Sequence, residues 1–413
     1  MYVVVIGVPF RRIDLDRCQV AADWGKSLLL LRDSLRGEFG PLLVAAPELK
    51  DTGGTIGSQM SLEVSAASDQ IGFCSLGSAH WRARDFWKNF RSVWKACDEA
   101  VSRAAVVHAG INNLYQPFSL AGFCAGIRAK KTTVFVIDGD AVTRSMHLAE
   151  GKPLIERLRS KLYRCVLERV QRRAVRAADL SLLKGDLLID RYSRYAKNPK
   201  KFYDTSYSLE SVIAAGELDR KVSETHRPMR VLSLGRLVDI KNTDHVVVAF
   251  AEASKRGLDA TLDIIGGGPE QPRLEALISQ HGLEDRVRLL GVKPYDDALL
   301  REVSKYDLMV FASTSEETPR SLFDAMAGGC ALLCYDIPFT REIIGFARCG
   351  VLAERGSIVS LTDGLLELGT NRDRLGAAAV SAREFALQHS SDQWYARRAQ
   401  LTADAHALRL RDQ

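Results

Sequence analysis

The 413-residue sequence has no paired cysteine motif, no cofactor-binding glycine fingerprint and no long apolar run. Its eight cysteines, Cys18, Cys74, Cys97, Cys124, Cys165, Cys330, Cys334 and Cys349, are scattered without a CxxC pair. That excludes a zinc ribbon or a disulfide scaffold and fits a reduced compartment. An uncharged apolar stretch of about 18 residues, the length a spanning helix needs, occurs nowhere. The apolar start Met1–Phe10 has no basic residue ahead of it and is broken by Arg11 and Arg12, so it reads as a first strand and not a signal peptide. Neither a P-loop (GxxxxGKS/T) nor GxGxxG with a following acidic residue is present, which disfavours a P-loop ATPase and a nicotinamide enzyme. Internal repeats and low-complexity tracts are absent too.

What the sequence does contain is a soluble globular composition, 46% hydrophobic and 26% charged, and length for two domains of roughly 150 residues or more. The net charge of +6 is unevenly placed: residues 1–220 hold 33 Lys and Arg against 24 Asp and Glu, residues 221–413 hold 24 against 27. All of the positive excess belongs to the N-terminal half. Short β-branched runs alternate with longer amphipathic segments, the pattern of parallel sheets flanked by helices. Strands are expected at 2–7, 42–46, 70–75, 104–109, 132–138 and 179–183, then at 229–235, 260–266, 286–291, 306–312, 330–335 and 349–353. The fold class is α/β, with a Rossmann-like domain over 1–205, a linker over 206–228 and a second Rossmann-like domain over 229–385. A C-terminal helix over 386–413, with Trp394 and Tyr395 as anchors, is expected to pack back on the first domain. Two doubly wound domains facing across a cleft bind ligands at the carboxyl ends of their strands.

The second half carries the clearest chemistry. A strand ends at Gly235 and is followed by Arg236 and Lys241, with Asn242 or Thr243 as N-cap of the next helix. A guanidinium and an ammonium at a sheet's carboxyl edge either converge on one anion, such as a diphosphate, or stand as ordinary surface cations. The next strand ends in Gly266-Gly267-Gly268-Pro269, which either admits a ligand close to the backbone or makes a tight turn that needs none. A third strand opens into Ser313–Pro319 and a helix whose first amides could face a phosphate. Glu316 and Asp324 flank that anion site, and carboxylates suit hydroxyls, not phosphates. A diphosphate with sugar hydroxyls on both sides is a nucleotide sugar.

In this ordered set the second half resembles the donor domain of GT-B glycosyltransferases of family 4, the group 1 glycosyl transferases. The pattern GR-x4-K, a GGGP turn, a strand ending in Gly and E-x7-E is matched by Gly235-Arg236 with Lys241, Gly266–Pro269, Leu290-Gly291, and Glu316 with Asp324. The resemblance covers most of residues 229–350. It implies that Arg236 and Lys241 hold the donor diphosphate and assist its departure, while Glu316 binds hydroxyls of the transferred sugar. Ser321 and Leu322 offer amides to phosphate, Asp324 holds ribose hydroxyls, and Val292 and Lys293 border the base. Gly267, Gly268, Thr318 and Pro319 complete the donor loops. Two departures stand out: the second motif Glu is Asp324, shorter by one methylene, and the usual Gly after the first is Glu317.

In the N-terminal half, Gly7 and Arg11 mark an acceptor-side loop or a plain strand-to-helix turn. His108, at another strand end, is a satisfied structural histidine or an acceptor-side group. Where many members of the family carry His, this sequence has Asp138, with Asp140 two residues on. Asp138 either orients sugar or acceptor, as a base if within reach, or caps the following helix. Asp138-Gly139-Asp140 spells the metal-binding DxD, yet its distance in sequence from the diphosphate motifs argues against that role; no metal or other cofactor is expected. Basic residues dominate 157–176, where Leu158, Leu162, Val166, Leu167 and Val170 recur at helical spacing, and further basic stretches fall at 191–201 and 82–95. They read either as solvated faces over buried stripes or as peripheral contacts with an anionic membrane. No nucleic-acid-binding module accompanies them.

The expected activity is a retaining glycosyltransferase that moves a sugar from a nucleoside diphosphate sugar to a glycan or lipid-linked glycan acceptor. Bacterial surface polysaccharide synthesis, in the cytoplasm or at the inner face of the cytoplasmic membrane, is the expected setting. Retention follows from the resemblance alone. A GT-B nucleotide-sugar epimerase and a degenerate, non-catalytic GT-B binding protein are the alternatives.

Overall fold

A computed structural model of the chain describes residues 1–50, 60–111, 113–142, 145, 152–315 and 319–412. The chain divides into two compact units, residues 1–202 with 394–413, and residues 203–393.

The first unit begins β1 (Tyr2–Val5), β2 (Phe10–Arg12), β3 (Arg17–Ala21), α1 (Ala22–Leu35), β4 (Leu42–Leu49), β5 (Met60–Ser65) and β6 (Ile71–Ser78). It continues α2 (Ala83–Lys88), α3 (Phe90–Ser102), β7 (Val106–Gly110), α4 (Phe118–Arg128), β8 (Thr132–Ile137), α5 (Leu154–Ala177), β9 (Leu180–Lys184), α6 (Gly185–Tyr192) and β10 (Pro199–Phe202). The parallel strands run β6-β4-β1-β7-β8-β9-β10, with β1 between β4 and β7. Alternation buries both faces: Val3 and Val5 join one core cluster, Tyr2 and Val4 the other. The expected strands are all present, and β2, β3, β5 and β10 are additions. β2 and β3 form an antiparallel hairpin, with Arg11 opposite Gln19 and Arg12 opposite Cys18, and β5 pairs antiparallel to β3. The hairpin stands where a direct strand-to-helix turn after Gly7 was one expectation.

The second unit comprises α7 (Ala215–Ser223), β11 (Met229–Leu234), α8 (Thr243–Lys255), β12 (Ala260–Ile265), α9 (Gln271–Gln280), β13 (Val287–Leu289) and α10 (Asp297–Val303). Then follow β14 (Leu308–Phe311), α11 (Arg320–Ala327), β15 (Ala331–Tyr335), α12 (Pro338–Ala347), β16 (Gly350–Ala353), α13 (Ile358–Thr370) and α14 (Arg372–Leu387). Its sheet is wholly parallel in the order β13-β12-β11-β14-β15-β16. Residues 206–228, expected as a linker, lie in this unit. The Lys221 ammonium of α7 sits among four carbonyls, those of Ser304, Tyr306, Gly328 and Gly329, at 2.7–3.2 Å. Burial holds its pKa below the usual lysine range.

A last helix, α15 (Ser391–Arg411), carries the chain into the first unit. Trp394 stacks on Phe202 at 4.9 Å, His406 bonds Thr132 at 2.7 Å, and Arg409 grips Asp179 at 2.7 and 2.8 Å. Among the described residues, no helix is long and apolar enough to cross a membrane.

Candidate functional site

Strand order fixes where the second unit's motifs meet. β11 and β14 are neighbours, but the chain leaves β11 toward β12 on one side and β14 toward β15 on the other. At such a switch point the loops leaving the two strands splay apart and open a ligand crevice. The β11 loop carries Gly235, Arg236 and Lys241; the β14 loop carries Ser313–Ser315 and leads to α11.

Hydrogen bonds hold these loops in place. The Asn242 amide donates to the Ala312 carbonyl at 2.9 Å and to Thr314 Oγ1 at 3.3 Å, while Ser313 Oγ and the Thr314 N–H both donate to the Ile240 carbonyl. Asn242 takes a left-handed conformation (φ 45°), which short amide side chains tolerate. It occupies the expected N-cap position, but its side chain makes no capping bond to α8 and spans the two loops instead. Sequence reading missed that role, since Asn fits both uses. Lys241 Nζ lies 5.4 Å from the Phe311 ring centroid, at the end of β14. Arg236 is exposed and pairs with no carboxylate among the described residues.

The glycine turn is stitched to the same place. The Leu237 N–H donates to the Gly267 carbonyl at 3.0 Å, and the Gly266 N–H to the Gly291 carbonyl at 2.9 Å. A Cβ on Gly266 would lie 1.8 Å from the Gly235 oxygen, and one on Gly268 would lie 2.2 Å from the Leu237 oxygen. Loop-on-loop packing therefore demands glycine at these two positions, with or without a ligand. Gly267 differs: its Cβ would meet only the end of the Val292 side chain, which is 78% exposed. Gly267 and Val292 thus meet on an open surface, whereas the Lys293 ammonium is paired with Glu302. That pairing removes Lys293 as an unengaged cation beside a base.

At α11 the arrangement departs from expectation in two ways. Pro319 is the N-cap, with extended backbone, and is not within the first turn; the Leu322 N–H donates to the Pro319 carbonyl at 3.3 Å, so that amide is already engaged. Asp324 is 4% exposed and accepts a 2.9 Å hydrogen bond from the Tyr295 hydroxyl, with Arg320 contributing a favourable charge. Burial pushes its pKa up to about 7. Tyr295 was not singled out in the sequence, where nothing ties a residue on the β13–α10 loop to a helix 29 positions later. Ser321 is half-buried on the first turn. Glu316 and Thr318, with Glu317, lie outside the described residues.

In the first unit the corresponding switch point falls between β1 and β7. Gly7 is exposed in the loop leaving β1. Arg11 lies on β2, with its guanidinium on the Gln19 side chain, so it belongs to the hairpin and not to that loop. His108 points into the packing beneath α15: Tyr2 Oη is 3.2 Å from its Nδ1, and Arg398 of α15 bonds the ring. Burial first, then the Arg398 charge, holds its pKa well below 6.5. It is a structural histidine. Asp140 is also structural, paired with Arg191 at 2.6 Å, its side chain 4% exposed. Asp138 follows β8 directly and is exposed.

Comparison with known proteins adds to this geometry. Residues 216–384 match the family described as Glycosyl transferases group 1. Over 269 residues the chain is 27% identical to the alpha-D-kanosaminyltransferase of Streptomyces kanamyceticus, covering 59% of this chain and 69% of that protein. Three further curated relatives are matched over 30 to 33% of their own length. Among solved structures, Anabaena HepE in complex with UDP superposes with a TM-score of 0.66 at 15% identity, covering 96% of this chain and 98% of that one. WaaG, a glycosyltransferase involved in lipopolysaccharide biosynthesis, superposes with a TM-score of 0.61 at 14% identity, covering 97% and 99%. The fold is GT-B.

Proposed function

We propose that this chain, a glycosyltransferase of the GT-B fold whose residues 216–384 form a group 1 glycosyl transferase domain, moves a sugar from a nucleoside diphosphate sugar to a glycan or lipid-linked glycan with retention of configuration. The observation that carries this reading is the docking of the β11 loop, which bears Arg236 and Lys241, on the β14 loop through Asn242 at the switch point of the C-terminal sheet. As the anomeric bond breaks, the sugar carbon gains oxocarbenium character and the diphosphate gains negative charge. The two cations and the N-terminal turn of α11 stabilise that charge by electrostatics aimed at the leaving group. Glu316 and Asp324 hold hydroxyls on the two sides of the diphosphate, and Gly267 and Val292 border the base. Asp138 is the acceptor-side carboxylate. On this reading the leaving charge is neutralised without a metal, so turnover persists in EDTA.

The acceptor belongs to surface polysaccharide assembly at the cytoplasmic face of the membrane, a reading supported by the basic N-terminal half and by the likeness to transferases of that kind. Incubating the protein with UDP-, GDP-, ADP- and dTDP-sugars, with and without membrane-lipid extract, tests it. Acceptor-dependent release of a nucleoside diphosphate is the expected result. Acceptor-independent change of the sugar, or binding without turnover, would overturn it.

A further inference from the structure

The outward face of α5 has a composition that the transferase chemistry does not use. Leu154, Ile155, Leu158 and Leu162 are 67–79% exposed and Val166 is 43% exposed. Four of the five recur at intervals of four, and all fall on one side of the helix. No residue between Leu154 and Val166 is buried; the helix buries only Leu167, Gln171, Ala174 and Val175, in its second half. The first half is held to the unit through Tyr163, whose ring stacks on the exposed Tyr115 at 5.1 Å and whose hydroxyl accepts the Leu114 N–H at 3.1 Å. Along the same outward face the apolar ridge gives way to Arg169, Arg173 and Arg176. The helix carries eight Lys and Arg against two Glu. Arg172, Arg176 and Arg194 also gather around the Tyr195 ring, at 5.1, 6.0 and 4.8 Å.

The apolar half of this pattern does not suit a solvated surface. Contiguous exposed leucines mark an interaction site, and the all-basic flank requires whatever covers them to present negative charge beside an apolar phase. A nucleic acid would engage the arginines through phosphate and leave the leucine ridge in water. An anionic bilayer satisfies both, because the apolar ridge enters the acyl boundary while the basic flank meets lipid phosphate. We infer that the outward face of α5, from Leu154 to Arg176, docks the protein on an anionic membrane surface, the leucine ridge inserted and the arginines at headgroup level. This rests on the transferase reading only in supplying a reason for membrane contact, a lipid-linked acceptor; docking itself is measurable without turnover.

The test is co-sedimentation of the full chain with vesicles of phosphatidylcholine containing about 30% phosphatidylglycerol. Partition is expected to fall steeply with salt and to be weak on pure phosphatidylcholine. A Leu154→Ser, Ile155→Ser, Leu158→Ser, Leu162→Ser variant should bind about a hundredfold more weakly. These side chains are mostly exposed, so its thermal midpoint should match the parent's. Arg169→Gln, Arg173→Gln, Arg176→Gln should bind roughly tenfold more weakly with a flatter salt response. Leu15→Ser, which alters a still more exposed leucine (98%) in the β2–β3 turn, should bind normally. Unchanged partition of the ridge variant, equal binding to neutral vesicles, or loss confined to Leu15→Ser would overturn the proposal. Binding of a nucleoside diphosphate in vesicle-free solution, measured in parallel by calorimetry, reports on the donor site alone. Normal docking with no nucleotide binding would instead point to failure of the transferase reading.

Discussion

Asp324 is a carboxylate that the fold holds nearly dry, with one phenol hydroxyl as its hydrogen-bond donor. Because burial raises its folded pKa to about 7 from an unfolded value near 3.8, the native state retains a proton that the unfolded chain releases. The associated stability is complete below about pH 4 and is lost as pH rises through about 7, a cost of order a few kcal/mol. Asp324→Asn removes this term. Thermal midpoints of the two proteins from about pH 4 to about pH 8 should diverge, the parent losing ground to the variant as pH rises. Parallel curves would show that the carboxylate ionises normally. Gly266 gives a second test at this scale. A methyl group there collides with the Gly235 carbonyl, so Gly266→Ala should lower unfolding stability by roughly 2–4 kcal/mol, measured by denaturant titration, even without a donor. The motif was legible as Gly-Gly-Gly-Pro, but its division of labour was not. Gly266 and Gly268 admit neighbouring backbone, whereas Gly267 is bordered only by the movable end of the Val292 side chain, a distinction that depends on which loops strand order makes adjacent.

At the scale of elements, α15 is the informative case. It is fixed to the first unit by two neutral histidine contacts, His108 with Arg398 and His406 with Thr132, besides the Arg409–Asp179 ion pair. Burial lowers the pKa of both histidines, so their contribution is present above about pH 6.5 and is lost as pH falls toward their folded values. Protease cleavage within α15 should therefore accelerate below about pH 6 by more than cleavage elsewhere in the chain. His406→Gln, which keeps a hydrogen-bonding side chain without the proton, should shrink that acid response; an unchanged response would exclude His406 from it. The helix itself was readable from its apolar spacing and from Trp394 and Tyr395. The β2–β3 hairpin was not, because Arg11, Arg12 and Arg17 obscure the alternation and β5, the further partner of β3, lies about forty residues downstream. His108 read as ambiguous for a related reason: its partner, Arg398, is 290 positions away.

For the whole molecule, the two halves keep their charge difference but concentrate it. The first 220 residues carry an excess of nine positive charges, and α5 alone contributes eight basic residues against two acidic ones. The donor-side cations, by contrast, stand in a unit with no positive excess, so the diphosphate site depends on placement and not on net charge. Strand alternation, the order of the glycine, basic and acidic motifs, and the parallel α/β class were all visible in the sequence, because each is written in local spacing. Occupancy of a motif residue by a protein partner, as with Lys293 and Asp140, was not, since only the fold brings Glu302 and Arg191 to them. The central claim, that the switch-point cations stabilise the leaving diphosphate, reduces to one measurement. It is the rate of acceptor-dependent nucleoside diphosphate release from the preferred donor sugar by the parent protein and by Arg236→Ala at matched stability. A loss of about a hundredfold or more, falling on kcat, is expected for an electrostatic role in the transition state; equal rates in the two proteins would contradict it.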